Sequence, residues 1–168
     1  MSKKQVAVAM SGGVDSSLAA ALLKEAGYEV SGVYMELGVG PNQEENISVL
    51  EKTCQLLNIS LQKLNFKTEF QSLVTSYFCR EYSRGRTPNP CIICNQHIKF
   101  GRLLNKVLDM GADYLATGHY ARIEYLPNGY SLLKATDPTK DQSYFLYTLG
   151  QRELKHLQPS LKLLLLYD

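Results

Sequence analysis

Two short stretches concentrate the residue types that do chemistry. RTPNPCIICN, residues 86–95, carries Cys91 and Cys94 as a C-x-x-C pair directly after a proline-stiffened loop and just before a helix-period segment. A thiol near a helix N-terminus or a cation has a lowered pKa and is a better nucleophile. Cys94 is well placed for that, and Arg84, Arg86, His97 and Lys99 supply positive charge that also suits a phosphate backbone. The second stretch, AVAMSGGVDSSLAA at 7–20, begins as an apolar strand, breaks into small residues around one acid, and continues as a helix. Such a turn aims backbone N–H groups and a helix N-terminus at one spot, which attracts an anion, phosphate above all. Gly12 and Gly13 permit positive φ and close approach, Ser11 and Ser16 add hydroxyls, and Asp15 sits where a metal ion or first-turn N–H groups can use a carboxylate.

Each stretch has competing readings. The turn is not a Walker loop, because Val14 follows the second glycine where a lysine is required, and GxGxxG does not fit either. A plain glycine turn with a capped helix is the alternative. For the cysteines, a zinc site lacks a second C-x-x-C or H-x₃-H pair, and a redox dithiol lacks its Gly-Pro context. An iron–sulfur cluster needs at least a third ligand. Cys54 and Cys79 suit buried, inert positions.

The elements that must position these residues alternate between two periods. Gln5 to Met10 reads as a strand, Ser16 to Ala26 as a helix closed by Gly27, and Glu29 to Met35 as a strand. Ile47, Leu50, Cys54 and Leu57 share a helical face; Leu61 to Phe66 suits a strand, and Glu69 to Arg84 a helix with an aromatic-rich inner side. After the exposed loop Gly85 to Pro90, a helix from about Gln96 to Met110 and a strand from Ala112 to Thr117 resume the alternation. Ile123 to Leu126 and Tyr130 to Leu133 flank Pro127-Asn128-Gly129 as a hairpin. The fold class is α/β, a Rossmann-like doubly wound parallel sheet. His119, after Gly118 at a strand end, falls where open sheets place ligands.

The chain has 168 residues, 45% of them hydrophobic, enough for one domain with a sizeable core. A formal net charge of +2 announces no global field for nucleic acid, so a polyanion must be met by a local patch. No run reaches the roughly 18 apolar residues that span a bilayer, and the start has no signal-peptide core, so the expected setting is cytoplasmic and reducing, without a disulfide framework.

Together, SGGVDSS at 11–17, GRTPNPCIICNQHIKF at 85–100, GADYLATGHYAR at 111–122 and KDQSYFLYTL at 140–149 resemble the tRNA-specific 2-thiouridylases, members of the PP-loop ATP pyrophosphatases. The likeness covers about Gln5 to Leu157, so residues 1–157 are expected to form a PP-loop ATP-binding and tRNA-modifying domain. The resemblance implies ATP, with a magnesium ion, on Ala9, Met10, Ser11, Gly12, Gly13, Val14, Asp15 and Ser16, with Met35 on the adenine side and Gly118 letting the nucleotide approach. It implies catalytic roles for Asp15 and Cys94, transfer of AMP to O2 of a flipped wobble uridine, and displacement of AMP by sulfur. Asn89, Pro90 and Cys91 match the stretch around the target base, and His119, Lys140, Asp141 and Gln142 match tRNA contacts.

The resemblance also implies a sulfur-donor protein and a second catalytic cysteine further along the family's chain. By that resemblance the family's central and β-barrel domains are expected to be missing here, and residues 158–168 are expected to be a divergent Leu-rich tail whose leucines at 161–166 predict self-association. C-I-I-C leaves a thiol pair for persulfide chemistry, disulfide release or iron–sulfur ligation. Two other readings stay open: a nucleotide- and tRNA-binding domain that does not complete sulfur transfer, and a PP-loop sulfurtransferase acting on a small molecule.

Overall fold

The structure, a computed structural model, describes residues 3–40 and 43–159. The leucines at 161–166 lie outside the described residues.

Strand β1 (Gln5–Ala9) leads through helix α1 (Val14–Glu25) to β2 (Glu29–Glu36), and α2 (Gln43–Leu56) leads to β3 (Ser60–Asn65). Two long helical stretches, α3 (67–83) and α4 (90–109), then precede β4 (Tyr114–Thr117). The hairpin of β5 (Arg122–Leu126) and β6 (Gly129–Leu133) follows, then α5 (Gln151–Lys155) and β7 (Leu157–Pro159). Five strands form one sheet in the order β3-β2-β1-β4-β7, every pair parallel, and the hairpin stands apart. This is the doubly wound arrangement that the alternating periods predict.

The pleat of β1 explains why helices cover both faces. Val6, Val8 and Met10 point into a core with Ala19, Ala20 and Leu23 of α1 and Leu50 and Cys54 of α2. Ala7 points the other way, into a larger core built from Val74 of α3 and Ile98, Leu103 and Val107 of α4. The face predicted for α2 is therefore the buried one. In β2, Gly32 is required by packing: a Cβ there would lie 2.9 Å from Met10 Sδ.

Four expectations are corrected. Helix α1 starts at Val14, two residues before the predicted Ser16, because Gly13 occupies the N-cap with extended backbone at φ −83°. Gly12, at φ 86°, is thus the one glycine of the turn that uses the left-handed region. Helix α4 starts at Pro90, so Cys91 and Cys94 lie inside its first turns, not ahead of it. Asn89 caps it, its Oδ1 accepting from Cys91 N at 3.1 Å, and proline opens the first turn where its missing N–H costs nothing. The aromatic side of α3 is inward only in part: Val74 is buried and Phe70 packs on the larger core, while Tyr82 is 63% exposed and stacks on Phe78 with centroids 5.4 Å apart. Cys79 is likewise exposed, whereas Cys54 is buried as expected.

Candidate functional site

At the C-terminal ends of β1 and β4 the strand order reverses direction, and an open parallel sheet leaves a crevice at that point. A cleft of about 520 Å³ opens there. One wall is the turn after β1. Ser16, only 4% exposed, donates its hydroxyl proton to Gly13 O at 3.1 Å and accepts from Ser11 N at 3.2 Å. Gly13 N in turn donates to Ser11 Oγ at 3.4 Å. The two serines thus hold the turn's shape, and no side chain caps α1, which leaves its opening N–H groups for an outside acceptor.

Gly118 explains how β4 meets this turn. A Cβ there would lie 2.9 Å from Ser16 N and 3.0 Å from the Asp15 carbonyl carbon, both backbone atoms that cannot swing aside. The glycine lets α1 approach β4, a stricter requirement than room for a ligand. Asp15 is held from the same side: Tyr120 donates its hydroxyl to Asp15 Oδ1 at 3.0 Å.

The opposite wall is the start of α4. Cys91 is exposed, Cys94 is half-buried, and residues 94–103 are wound as a π-helix. Wider winding turns a side chain five positions on nearly back onto the same face, and Lys99 accordingly joins Cys94 in lining the cleft. Burial pushes the Cys94 thiol above its ordinary value, Lys99 pulls it back in part, and Cys91 opposes that pull. The expected activation of Cys94 by lowered pKa is therefore corrected: desolvation outweighs the cation. Arg84 and Arg86 are not part of its surroundings, since both pair with Glu81 at 3.5 and 2.9 Å.

His119 closes the floor. Thr117 Oγ1 lies 2.8 Å from its Nδ1 and also accepts from His119 N at 3.4 Å. Burial first, and Lys99 second, lower the His119 pKa to about 3, so the ring is neutral at physiological pH. The Thr117 hydroxyl and His119 Nδ1 share one hydrogen bond whose direction is set by the ring's tautomer, and Nδ1 is thereby engaged on the protein side.

Of the predicted residues, the cleft gathers Ala9, Met10, Ser11, Asp15 and Ser16 from the turn, with Met35 at the end of β2. Cys91, Cys94, Gly118, His119 and Gln142 join them. Gly12, Gly13 and Val14 shape the turn without lining the cleft, and the Val14 side chain is 81% exposed. Asn89 and Pro90 are committed to starting α4. Asp141 is used within its own loop, accepting from Ala135 N at 2.7 Å and Ser143 Oγ at 2.9 Å. Gln142 ties that loop to the site, its Oε1 accepting from Tyr120 N at 3.2 Å, and Lys140 lies over the Tyr120 ring at 5.5 Å. Sequence reasoning missed Tyr34, Asn95, Thr117, Tyr120 and Phe145, and took Lys99 for general positive charge. Asn-Pro ahead of C-x-x-C was the one local signal that could have placed α4 and, with it, Lys99.

Asp15 gives a hard carboxylate oxygen for a magnesium ion accompanying phosphates. Among the described residues no group of three His, Cys, Asp or Glu side chains is positioned to hold a metal. An iron–sulfur cluster therefore does not fit this chain's own described residues: Cys91 and Cys94 are two ligands, and no third stands with them.

A family model described as tRNA methyl transferase HUP domain matches residues 4–163. The chain belongs to this family. Among curated relatives, this HUP-domain chain is 49% identical over 169 residues to a protein named tRNA-specific 2-thiouridylase MnmA from Lachnoclostridium phytofermentans, covering 93% of the chain and 47% of the relative. The chain thus spans about half the length of the curated relatives it matches. Among solved structures it is similar to the U34-tRNA thiolase NcsA from Methanococcus maripaludis, described with its 4Fe–4S cluster. That match has 28% identity and a TM-score of 0.51, covering 71% of this chain and 39% of the other. A predicted tRNA methyltransferase subunit from Methanocaldococcus jannaschii shares the fold at TM-score 0.54 and 19% identity, covering 93% and 67% of the two chains.

Proposed function

We propose that this domain binds ATP in the cleft and transfers AMP to O2 of a tRNA wobble uridine, the activating step of 2-thiolation. The carrying observation is that the uncapped turn after β1 and the C-x-x-C pair open on one cleft from opposite walls. In this reading the turn and the N-terminus of α1 take the β and γ phosphates. O2 attacks the α phosphorus as the uridine N3 proton passes to solvent, and the bond to the bridging oxygen breaks to release pyrophosphate. Asp15 would help hold a magnesium ion bound with the nucleotide, and that ion would offset phosphate charge. His119, kept neutral, offers Nε2 to a polar group of the base or ribose without competing as a cation for phosphate.

Sulfur arrives in this scheme as a persulfide on Cys94, delivered by a donor protein. Its terminal sulfur attacks C2, and the C2–O bond breaks to free AMP. Attack by the Cys91 thiolate on Cys94 Sγ then breaks the S–S bond, leaving sulfur on the base and a Cys91–Cys94 disulfide for an external dithiol to reduce. Names of relatives that act on tRNA support an RNA partner, as does a basic surface at the end of α3: Arg80, Arg84 and Arg86 surround Glu81 at 3.7, 3.5 and 2.9 Å. Three guanidiniums against one carboxylate leave net positive charge for a phosphate backbone.

No described helix is long and apolar enough to cross a membrane, and a cytoplasmic setting accords with tRNA as substrate. We place self-association at the Leu-rich end, and a monomer by light scattering at high concentration contradicts it. The function is tested by pyrophosphate release from ATP with unmodified tRNA. Release that depends on the wobble uridine supports it; binding without turnover, or release that ignores RNA, refutes it.

A further inference from the structure

We propose that Lys99 is the cationic contact for the α-phosphoryl group of the nucleotide, set across the cleft from the turn that holds the outer phosphates; this rests on the function proposed above. Only two formally charged side chains line the cleft among the described residues, Asp15 on the turn and Lys99 on α4. A triphosphate in this cleft therefore meets one protein cation, because the turn has valine where a Walker loop has its lysine.

Lys99 has no carboxylate within ion-pair distance among the described residues, in contrast to Arg80, Arg84 and Arg86, which share Glu81. A half-buried ammonium without a counter-ion is costly, and burial accordingly lowers its pKa, opposed by the nearby Cys94 and Cys91. The Cys94 thiol is not the missing anion in the resting protein, since burial raises its pKa and keeps it protonated at neutral pH. His119 is not an anion either. The partner that restores balance must come from outside and carry negative charge.

Position selects which phosphate. The outer two groups are met by the N–H groups at the α1 turn, whereas Lys99 stands on the thiol wall, the side from which the acceptor base and sulfur approach the α phosphorus. Holding that phosphate serves both halves of the reaction, because the same group is the electrophile in AMP transfer and the leaving anion when sulfur displaces it.

The test is calorimetry of ATP and of AMP, each with magnesium, on the 168-residue chain. Lys99→Met should weaken both nucleotides by about tenfold to a hundredfold, the range for one charge-assisted contact, and Lys99→Arg should recover most of the loss. Ser11→Ala should weaken ATP and leave AMP unchanged. If Lys99→Met binds both as the parent does, the inference falls while the proposed function stands. If it weakens ATP but not AMP, Lys99 serves the outer phosphates and the α assignment is overturned. A parent chain that binds neither nucleotide overturns the proposed function and this inference with it.

Discussion

Lowering the pH from 7 to 5 should destabilise this protein through His119, in a way that its replacement removes. In the folded chain the ring has a pKa of about 3, against an ordinary value of 6.5 in the unfolded chain. Because the folded value is depressed, the unfolded state binds more protons below pH 6.5, and stability present above that pH is lost as pH falls toward the folded value. At pH 5 the unfolded imidazole is almost fully protonated and the folded one is not, a gap of one and a half units and so about 2 kcal/mol. For a chain of this size that is about 4–8 °C in melting temperature. The assay is urea or thermal unfolding of the parent and His119→Gln at both pH values. Carboxylates that lose their partners in acid, such as Asp113 beside Lys4, affect both proteins alike, so the difference between them isolates the imidazole. Equal acid sensitivity in the two proteins would refute the buried, neutral His119.

Gly118→Ala should cost about 1–3 kcal/mol by thermal unfolding and weaken ATP binding, because its Cβ meets backbone at Asp15 and Ser16; an unchanged melting temperature would show that α1 has room to shift. Replacing Arg80, Arg84 and Arg86 together by glutamine should flatten the dependence of log affinity for tRNA on log salt by roughly one to two, and leave ATP affinity alone. An unchanged slope would remove that surface from the RNA footprint. Cys94→Ala should stop sulfur delivery but spare AMP transfer, as read by pyrophosphate release, and loss of both would contradict the division of labour between the two walls.

Much of the sheet was legible because its signals are local. The valines of β1, the small-residue turn and the apolar face at Leu50 and Cys54 each announce themselves within a few residues; the structure puts the valines and that face in one core and the turn on the cleft. The hairpin at Gly129 follows from the turn residues alone. What was not legible depends on wider geometry. Nothing in CNQHIKFGRL distinguishes a π-helix from an α-helix, yet that winding accompanies Lys99 in the cleft. The thiol of Cys94 was misjudged because a count of nearby basic residues does not show that Arg86 is occupied by Glu81 or that Cys94 is desolvated. Gly118 was legible as a residue of the site, but only the folded chain shows α1 pressed against it. Tyr120 and Thr117 act through partners distant in sequence or through a ring whose burial periodicity does not reveal.

The central claim is that the turn after β1 holds ATP by its outer phosphates while an RNA oxygen takes the inner one. It is tested most directly by following label from ATP onto unmodified tRNA in a Cys94→Ala chain without a sulfur source. The account predicts that label from the α phosphorus becomes attached to the tRNA, depends on the wobble uridine, and is matched by pyrophosphate, while label from the γ position never appears there. Attachment of the γ label, or loss of ATP with no α label on the RNA, would contradict it.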